Sequence, residues 1–219
     1  MTKIYRKILN RTGICFVLLT VSLCCLAQDA LAQKVVITYF SQTGHTKAMA
    51  EAVAKGARSV AGAEVRLLTI DKTTKDDLLW ADAIIIGSPV YSANAPAPVL
   101  QALSGWPLLP ALKDKIGAAF VTGGWIAGGQ ELTQIHLLAT LLEFGMIIVG
   151  GEATALSGGE GTAPFGAFAI TGEPPFDSKN GVVDTKFLKN GEALGKRVAE
   201  RARWFISGKP KQANTRSAK

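Results

Sequence analysis

Apolar residues along this 219-residue chain come as short unbroken runs, separated by longer stretches in which they recur every third or fourth position. Unbroken runs mark parallel strands covered on both faces, and the recurrent spacing marks helices laid across them. The runs predict strands over 34–40, 64–70, 83–87, 116–122 and 146–149. Residues 46–60 set Met49, Val53, Ala57 and Val60 on one helical face, and Ala61-Gly62 ends that helix. Further helices are predicted over 97–103, 130–144 and 186–206, and Asp76-Asp77 open a short solvated one. Right-handed crossovers place helices on both faces, so the fold class is α/β with an open, doubly wound, five-stranded parallel sheet. Residues 150–179, rich in Gly, Pro and Thr, fit neither period. A connection of that length in a compact domain marks a functional loop or a disordered one.

The first 33 residues change how the composition reads. Lys3, Arg6, Lys7 and Arg11 precede an apolar run over 13–27, and Ala30-Leu31-Ala32 has small-x-small character. This is the pattern of an export signal cleaved after Ala32, which implies a periplasmic or otherwise extracytoplasmic protein. The alternative is an uncleaved membrane anchor, although the run falls short of the ~20 residues a spanning helix needs. A lipid attachment at Cys24 or Cys25 is disfavoured, because Leu23 or Cys24 precedes it where a small residue is expected. Cys15, Cys24 and Cys25 all lie in this segment, so residues 34–207 form a domain without disulfide, thiolate ligand or cysteine nucleophile. With His45 and His136 as the sole histidines, no metal site is expected.

The formal charge of +7 is concentrated at the ends. Four of 24 bases and one of 17 acids fall in the leading segment, leaving 20 against 16, a net of +4. The tail 208–219 carries Lys209, Lys211, Arg216 and Lys219 and no acid, so the domain between is nearly neutral. This argues against nucleic acid as a partner and allows a basic tail to meet anionic lipid.

Ligands of open parallel sheets bind beyond the carboxyl ends of the strands. Three loops there have unusual composition: 41–46, 88–96 and 123–130. The first, Ser41-Gln42-Thr43-Gly44-His45-Thr46, feeds a helix N-terminus, where free backbone N–H groups and the helix dipole favour an anion. Gly44 permits close backbone approach, and the hydroxyls of Ser41, Thr43 and Thr46 donate without adding charge. The loop lacks the spacing of a nucleoside-triphosphate loop or a dinucleotide fingerprint, which leaves a phosphate monoester as the better fit.

This hexapeptide resembles the S/T-x-T-G-x-T phosphate loop of the flavodoxin-like superfamily, which holds the phosphate of FMN. Within that superfamily the chain is similar to the WrbA-type NAD(P)H:quinone oxidoreductases from about Val35 to Trp204. IIIGSPVYSANAP, VTGGWIAGGQELT with LLEFGMIIVG, and GEGTAPFGA match three further family segments in order. The resemblance implies a flavodoxin-like three-layer sandwich with strand order 2-1-3-4-5. It places Pro89, Val90, Tyr91 and Asn94 against the isoalloxazine ring. Thr122, Gly123, Gly124, Trp125, Gly128 and Gly129 would wrap the ring edge, and Ser41 through Thr46, Gln42 and His45 included, would hold the phosphate.

As implied function, the chain is an FMN-dependent reductase passing two electrons from NAD(P)H to a quinone or similar flat acceptor, with no dedicated catalytic side chain. The alternative is an exported flavodoxin-like carrier that exchanges electrons with a membrane or protein partner; a third is a scaffold without cofactor. Ser92 stands where relatives commonly carry an aromatic, and Glu143-Phe144 where they carry a histidine, both on the substrate side. Trp125 is a candidate replacement stacking surface or a plug into the core. His136 is expected to be structural, and His45 either to touch phosphate or to face solvent. The family also implies a homo-tetramer or dimer, with 150–179 available for contacts.

Overall fold

The computed structural model describes residues 32–151, 162–172 and 179–208. The expected export segment through residue 31, the tail from 209 and much of 150–179 lie outside these residues. The elements in order are β1 (Gln33–Tyr39), α1 (His45–Arg58), β2 (Ala63–Thr69), a 3-10 turn (Ile70–Lys72), α2 (Lys75–Trp80), β3 (Ala83–Pro89) and α3 (Ala97–Ser104). There follow β4 (Ile116–Gly123), α4 (Gln130–Glu143), β5 (Ile147–Ile148), β6 (Thr162–Ala163), β7 (Gly166–Ile170) and α5 (Thr185–Gly208).

The sheet runs β2-β1-β3-β4, parallel throughout, and β3 and β4 are buried along their whole length. This is the flavodoxin-like order expected. Two details differ from the sequence reading. β2 alternates between half-buried and exposed because it is the outer strand, although its run resembles those of the central strands. The fifth position is filled by two pieces: Ile147 and Ile148 pair with Ile116 and Gly117, and Gly166 to Ile170 pair with Ala119 to Gly123 in the same parallel sense. Residues 166–170, read from sequence as part of an irregular stretch, therefore complete the sheet, with β6 antiparallel outside them. The first piece falls in the run predicted over 146–149, and periodicity misses the second, whose five residues sit within the Gly-, Pro- and Thr-rich stretch.

Two cores flank the sheet. On one face α1 and α5 bury Met49, Val53, Phe187, Leu194 and Val198 against Val35, Ile37 and Phe120. On the other, α2, α3 and α4 bury Leu78, Val99, Leu137 and Leu141 against Ile84, Ile86 and Val121. Among the described residues, the buried members of both cores lie between Val35 and Ala202, with Phe205 packed against the first. The α1–α5 contact is backbone-close: a Cβ on Gly195 would lie 1.9 Å from the Val53 carbonyl, and one on Gly56 1.8 Å from that of Glu192. Small residues at these positions set the interhelical distance.

α2 shows why a short, polar helix forms. Thr74 and Asp77 make a reciprocal capping box, with Asp77 N donating to Thr74 Oγ1 at 3.2 Å and Thr74 N to Asp77 Oδ2 at 3.1 Å. Arg66 reaches across from β2 to Asp77 Oδ1 at 2.6 Å, and its guanidinium lies 3.8 Å from the centre of the Trp80 ring.

Candidate functional site

In this strand order the chain leaves β1 towards β2 and then returns to the other side of β1 as β3, so the loops after β1 and β3 diverge and open a crevice. The loop after β4 closes its far side. Loops 41–46, 90–94 and 123–130 contain no Lys, Arg, Asp or Glu, so every polar contact they offer comes from neutral groups.

The first loop is held open by internal bonds. Gly44 sits at φ 93°, and a Cβ there would come within 2.9 Å of the Gly181 Cα. Its N–H donates to Ser41 Oγ at 3.2 Å. Tyr39, the last residue of β1, has its phenol pushed above the usual range, first by burial and then by Glu51 and Asp71. It therefore stands as a neutral hydroxyl just before this loop.

Two of the expected hydroxyl donors have other engagements. Thr46 Oγ1 lies 2.8 Å from Thr122 Oγ1, and both residues are buried. One hydroxyl of this pair donates to the other, leaving a single hydroxyl hydrogen between them for any third group. The pair ties the start of α1 to the end of β4. Thr43 Oγ1 lies 2.9 Å from His45 Nδ1, and His45 Nε2 lies 3.1 Å from the Lys179 carbonyl. A carbonyl only accepts, so Nε2 carries the hydrogen; with the ring neutral, Nδ1 accepts from Thr43. His45 is 9 % exposed, not solvent-facing. It anchors the loop to residue 179, a long-range contact that no local spacing reveals.

After β3, Tyr91 and Asn94 exchange both backbone hydrogen bonds, at 2.9 and 3.0 Å, making a two-residue hairpin. Its central residues Ser92 and Ala93 have φ of 50° and 58°. Left-handed backbone at both positions is what the tight primed hairpin turn requires, and Asn-Gly is its preferred filling. Ser-Ala is not.

The loop after β4 packs on this hairpin: a Cβ on Gly129 would lie 2.5 Å from Ala93. Gln130, buried at the first position of α4, donates its amide to the Trp125 carbonyl, and Thr133 Oγ1 donates to the Gly129 carbonyl at 2.9 Å.

Between hairpin and loop lies a cavity of about 740 Å³, walled by Val90 to Ala93 on one side and by residues of 123–129 on the other. That volume falls within the range of small-molecule sites. Tyr91 is 43 % exposed and Trp125 is 71 % exposed, so Trp125 does not plug the loop into the core. Tyr91 also donates its hydroxyl to Gln42 Oε1 at 2.8 Å, joining the cavity to the first loop.

Of the residues singled out from sequence, Val90, Tyr91, Gly123, Gly124, Trp125, Gly128 and Gly129 line the cavity. Ser41, Gln42, Thr43 and Gly44 form the adjoining loop. Pro89 is buried in β3, Thr122 is paired to Thr46, and Asn94 closes the hairpin with its side chain accepting from the Ala95 N–H at 2.8 Å. Ser92, expected on the substrate side, lines the cavity, as do Ala93 and Ala127, which were not singled out. The exposed His136 approaches Asn94 Oδ1 at 3.4 Å, placing it behind the hairpin. Phe144 is buried against Trp106, with ring centres 5.9 Å apart, and so is a core residue. Among the described residues no three His, Cys, Asp or Glu gather where a metal ion could sit.

A neutral anion loop beside a cavity flanked by aromatics has close counterparts. Residues 34–161 match the family described as NADPH-dependent FMN reductase. A flavodoxin of Aquifex aeolicus (strain VF5) is 34% identical over 187 residues, covering 80% of this chain and 90% of that protein. An NAD(P)H dehydrogenase (quinone) of Rhodopseudomonas palustris (strain TIE-1) is 34% identical over 197 residues, covering 77% and 96%. The crystal structure of a flavodoxin, WrbA-like protein from Agrobacterium tumefaciens superposes with a TM-score of 0.61 at 27% identity, covering 80% of this chain and 99% of that one. The chain therefore belongs to the NADPH-dependent FMN reductase family of flavodoxin-like oxidoreductases, with FMN as its cofactor.

Proposed function

We propose that the protein is an FMN-dependent NAD(P)H:quinone oxidoreductase. The observation that carries this reading is the 740 Å³ cavity, which adjoins the neutral loop 41–46 and is bordered by Tyr91 and Trp125. The residues present fit the cofactor. Ser41 Oγ and the backbone N–H groups at the start of α1 would hold its phosphate, with the Thr43 hydroxyl given to His45, and the Gly44 turn keeps Cβ atoms out of that cradle. Tyr91 and Trp125 offer flat faces for its ring, and the glycines of 123–129 leave backbone amides uncovered for its edge.

When bound, FMN supplies the two-electron chemistry between a nicotinamide donor and a quinone-like acceptor. The chain's own contribution is to position. Gln42 and Tyr91 link the phosphate end to the ring end, and the packing of Gly129 on Ala93 sets the width of the slot. With no titratable group in the three loops other than the buried His45 and the exposed Tyr91, the site accommodates donor and acceptor in turn without a dedicated acid or base.

A second reading, an electron carrier without nicotinamide activity, draws on Ser92 at the hairpin tip and on the similarity to the Aquifex flavodoxin. Residues 1–31 support an extracytoplasmic place of action for either reading, and an N-terminus at Gln33 on protein from the periplasmic fraction tests that.

The readings separate in one experiment. Protein loaded with FMN is titrated with NADH and NADPH without oxygen, and a quinone is then added. Bleaching of the yellow colour followed by its return on quinone addition supports the reductase. Colour that persists under excess nicotinamide but bleaches with dithionite supports the carrier, and failure to retain FMN overturns both.

A further inference from the structure

In a parallel sheet every strand starts at the same edge, and each returning helix ends there. Here that edge carries Gln33 at the start of β1, Ile116 and Ile147 at the starts of β4 and β5, and Gly208 at the end of α5. The FMN loops occupy the opposite edge, separated by the length of β4, eight residues, or about 26 Å at about 3.3 Å per residue.

This starting edge is unusually apolar. Ile116, Ile147, Val149, Trp204 and Phe205 line an open groove of about 560 Å³ together with Arg201. Trp204 is 60 % exposed, and the Arg201 guanidinium lies 3.9 Å from its ring centre. The loop before β4 exposes Leu108 and Leu109, the latter close to Gly145.

The edge as a whole carries both signs, with Asp82, Asp114 and Glu143 in its loops, but the end of α5 that borders the groove is basic. From Arg201 to Gly208 the helix holds Arg201 and Arg203 and no acid, and the sequence continues with Lys209, Lys211, Arg216 and Lys219, again without an acid. Glu200, one residue before, lies 4.0 Å from the Lys196 ammonium. An aromatic with an apolar body, flanked by arginines, is the combination that settles at a bilayer interface, where the ring sits among headgroups and the cations meet lipid phosphates.

We propose that this edge is a docking surface for an anionic lipid bilayer, with Trp204 and its groove entering the interface and Arg201, Arg203 and the basic tail contacting the headgroups. Docked so, the FMN site faces the aqueous side, about one sheet-length from the lipid. The surface adds a location to the protein and stands independently of which acceptor the FMN site reduces.

The test uses residues 32–219, which contain both cores, loaded with FMN. Sedimentation with vesicles of phosphatidylcholine is compared with that in an equimolar phosphatidylcholine–phosphatidylglycerol mixture. Binding to the mixed vesicles is expected to be at least about tenfold tighter and to weaken steeply with salt. Trp204→Ser lowers it by about tenfold, and Arg201→Gln with Arg203→Gln lowers it further, while FMN affinity and the far-ultraviolet circular dichroism stay unchanged. Brominated lipid quenches tryptophan emission in the parent and in Trp125→Phe but not in Trp204→Phe. Equal binding to both vesicle types overturns the proposal. So does loss of quenching in Trp125→Phe alone, which would put the FMN edge on the lipid. Unaltered binding by Trp204→Ser overturns it too, since the tail would then act without the groove. A dimer of the parent that Trp204→Ser dissolves assigns the face to a second copy and also overturns it.

Discussion

Ser92 and Ala93 hold a backbone conformation that favours Asn and Gly, at the tip of the hairpin beside the cofactor cavity. Left-handed geometry costs an ordinary residue roughly 1–2 kcal/mol. Replacing the pair by Asn-Gly is therefore expected to raise stability by about 1 to 2 kcal/mol, seen as a higher urea midpoint at unchanged slope. No stabilisation would mean that the hairpin is not strained. Gly44 poses the opposite case. Gly44→Ala both forces φ 93° on a side chain and drives a Cβ to within 2.9 Å of Gly181, so FMN affinity is expected to fall at least about tenfold in a fluorescence-quenching titration. The importance of Gly44 was legible in the sequence, because a glycine before a helix start in a hydroxyl-rich turn signals a close approach. The engagements of Thr46 and His45 were not, because their partners at positions 122 and 179 are fixed by how the chain returns, not by local spacing.

At the level of single elements, α2 depends on its cap. The Asp77 carboxyl is held below the usual carboxylate range, first by the hydroxyl and N–H of Thr74 and then by Arg66. A depressed carboxyl stabilises the fold in its ionised form. The contribution is complete above the ordinary aspartate value of about 3.9 and is lost as pH falls through the lower folded value. Asp77→Asn should thus cost about 1 kcal/mol at neutral pH, and the gap in unfolding midpoint between it and the parent should close as the pH is taken below about 4. A gap that persists in acid would assign the loss to something other than charge. The α1–α5 contact gives a steeper test. Gly195→Ala has no room for its methyl, 1.9 Å from the Val53 carbonyl, so the helices must part. A loss of about 3 kcal/mol is expected, at the upper end of overpacking costs. The cap was visible in advance as an acid pair opening a short helix, whereas the glycine contact becomes visible only once α5 is known to lie on α1.

Across the domain, the fifth sheet position shows how far a local pattern reaches. β5 and β7 lie in line along β4, yet 17 residues separate Ile148 from Gly166 in the sequence numbering; the apolar run over 146–149 announces the first piece, and nothing local announces the second. Gln134 helps to hold the second piece, donating to the Ala167 carbonyl at 2.9 Å from α4. Because the site is assembled from three loops on separate strands, cofactor binding should stabilise the folded domain as a unit. FMN at 100 times its dissociation constant is expected to add about 2.7 kcal/mol. The same increment is expected in Gly195→Ala, whose lesion lies in the helix contact and not in the FMN loops. A smaller increment in that variant would show that helix packing reaches the FMN loops.

The parallel strands, the two helical layers and the three loops at their carboxyl ends follow from patterns that any stretch of about ten residues already contains, namely unbroken apolar runs, helical spacing, and turns rich in glycine and hydroxyls, whereas the strand order is implied only by the family resemblance. Such patterns specify which face of an element is buried, because burial of apolar surface is decided residue by residue. They do not specify partners. Only the folded chain brings Thr46 to Thr122, Tyr91 to Gln42, Gly129 to Ala93 and the broken halves of the last strand to β4, since those contacts depend on where distant segments meet. For the same reason the apolar groove under Trp204 is invisible in the sequence, where its residues are scattered from Ile116 to Gly208.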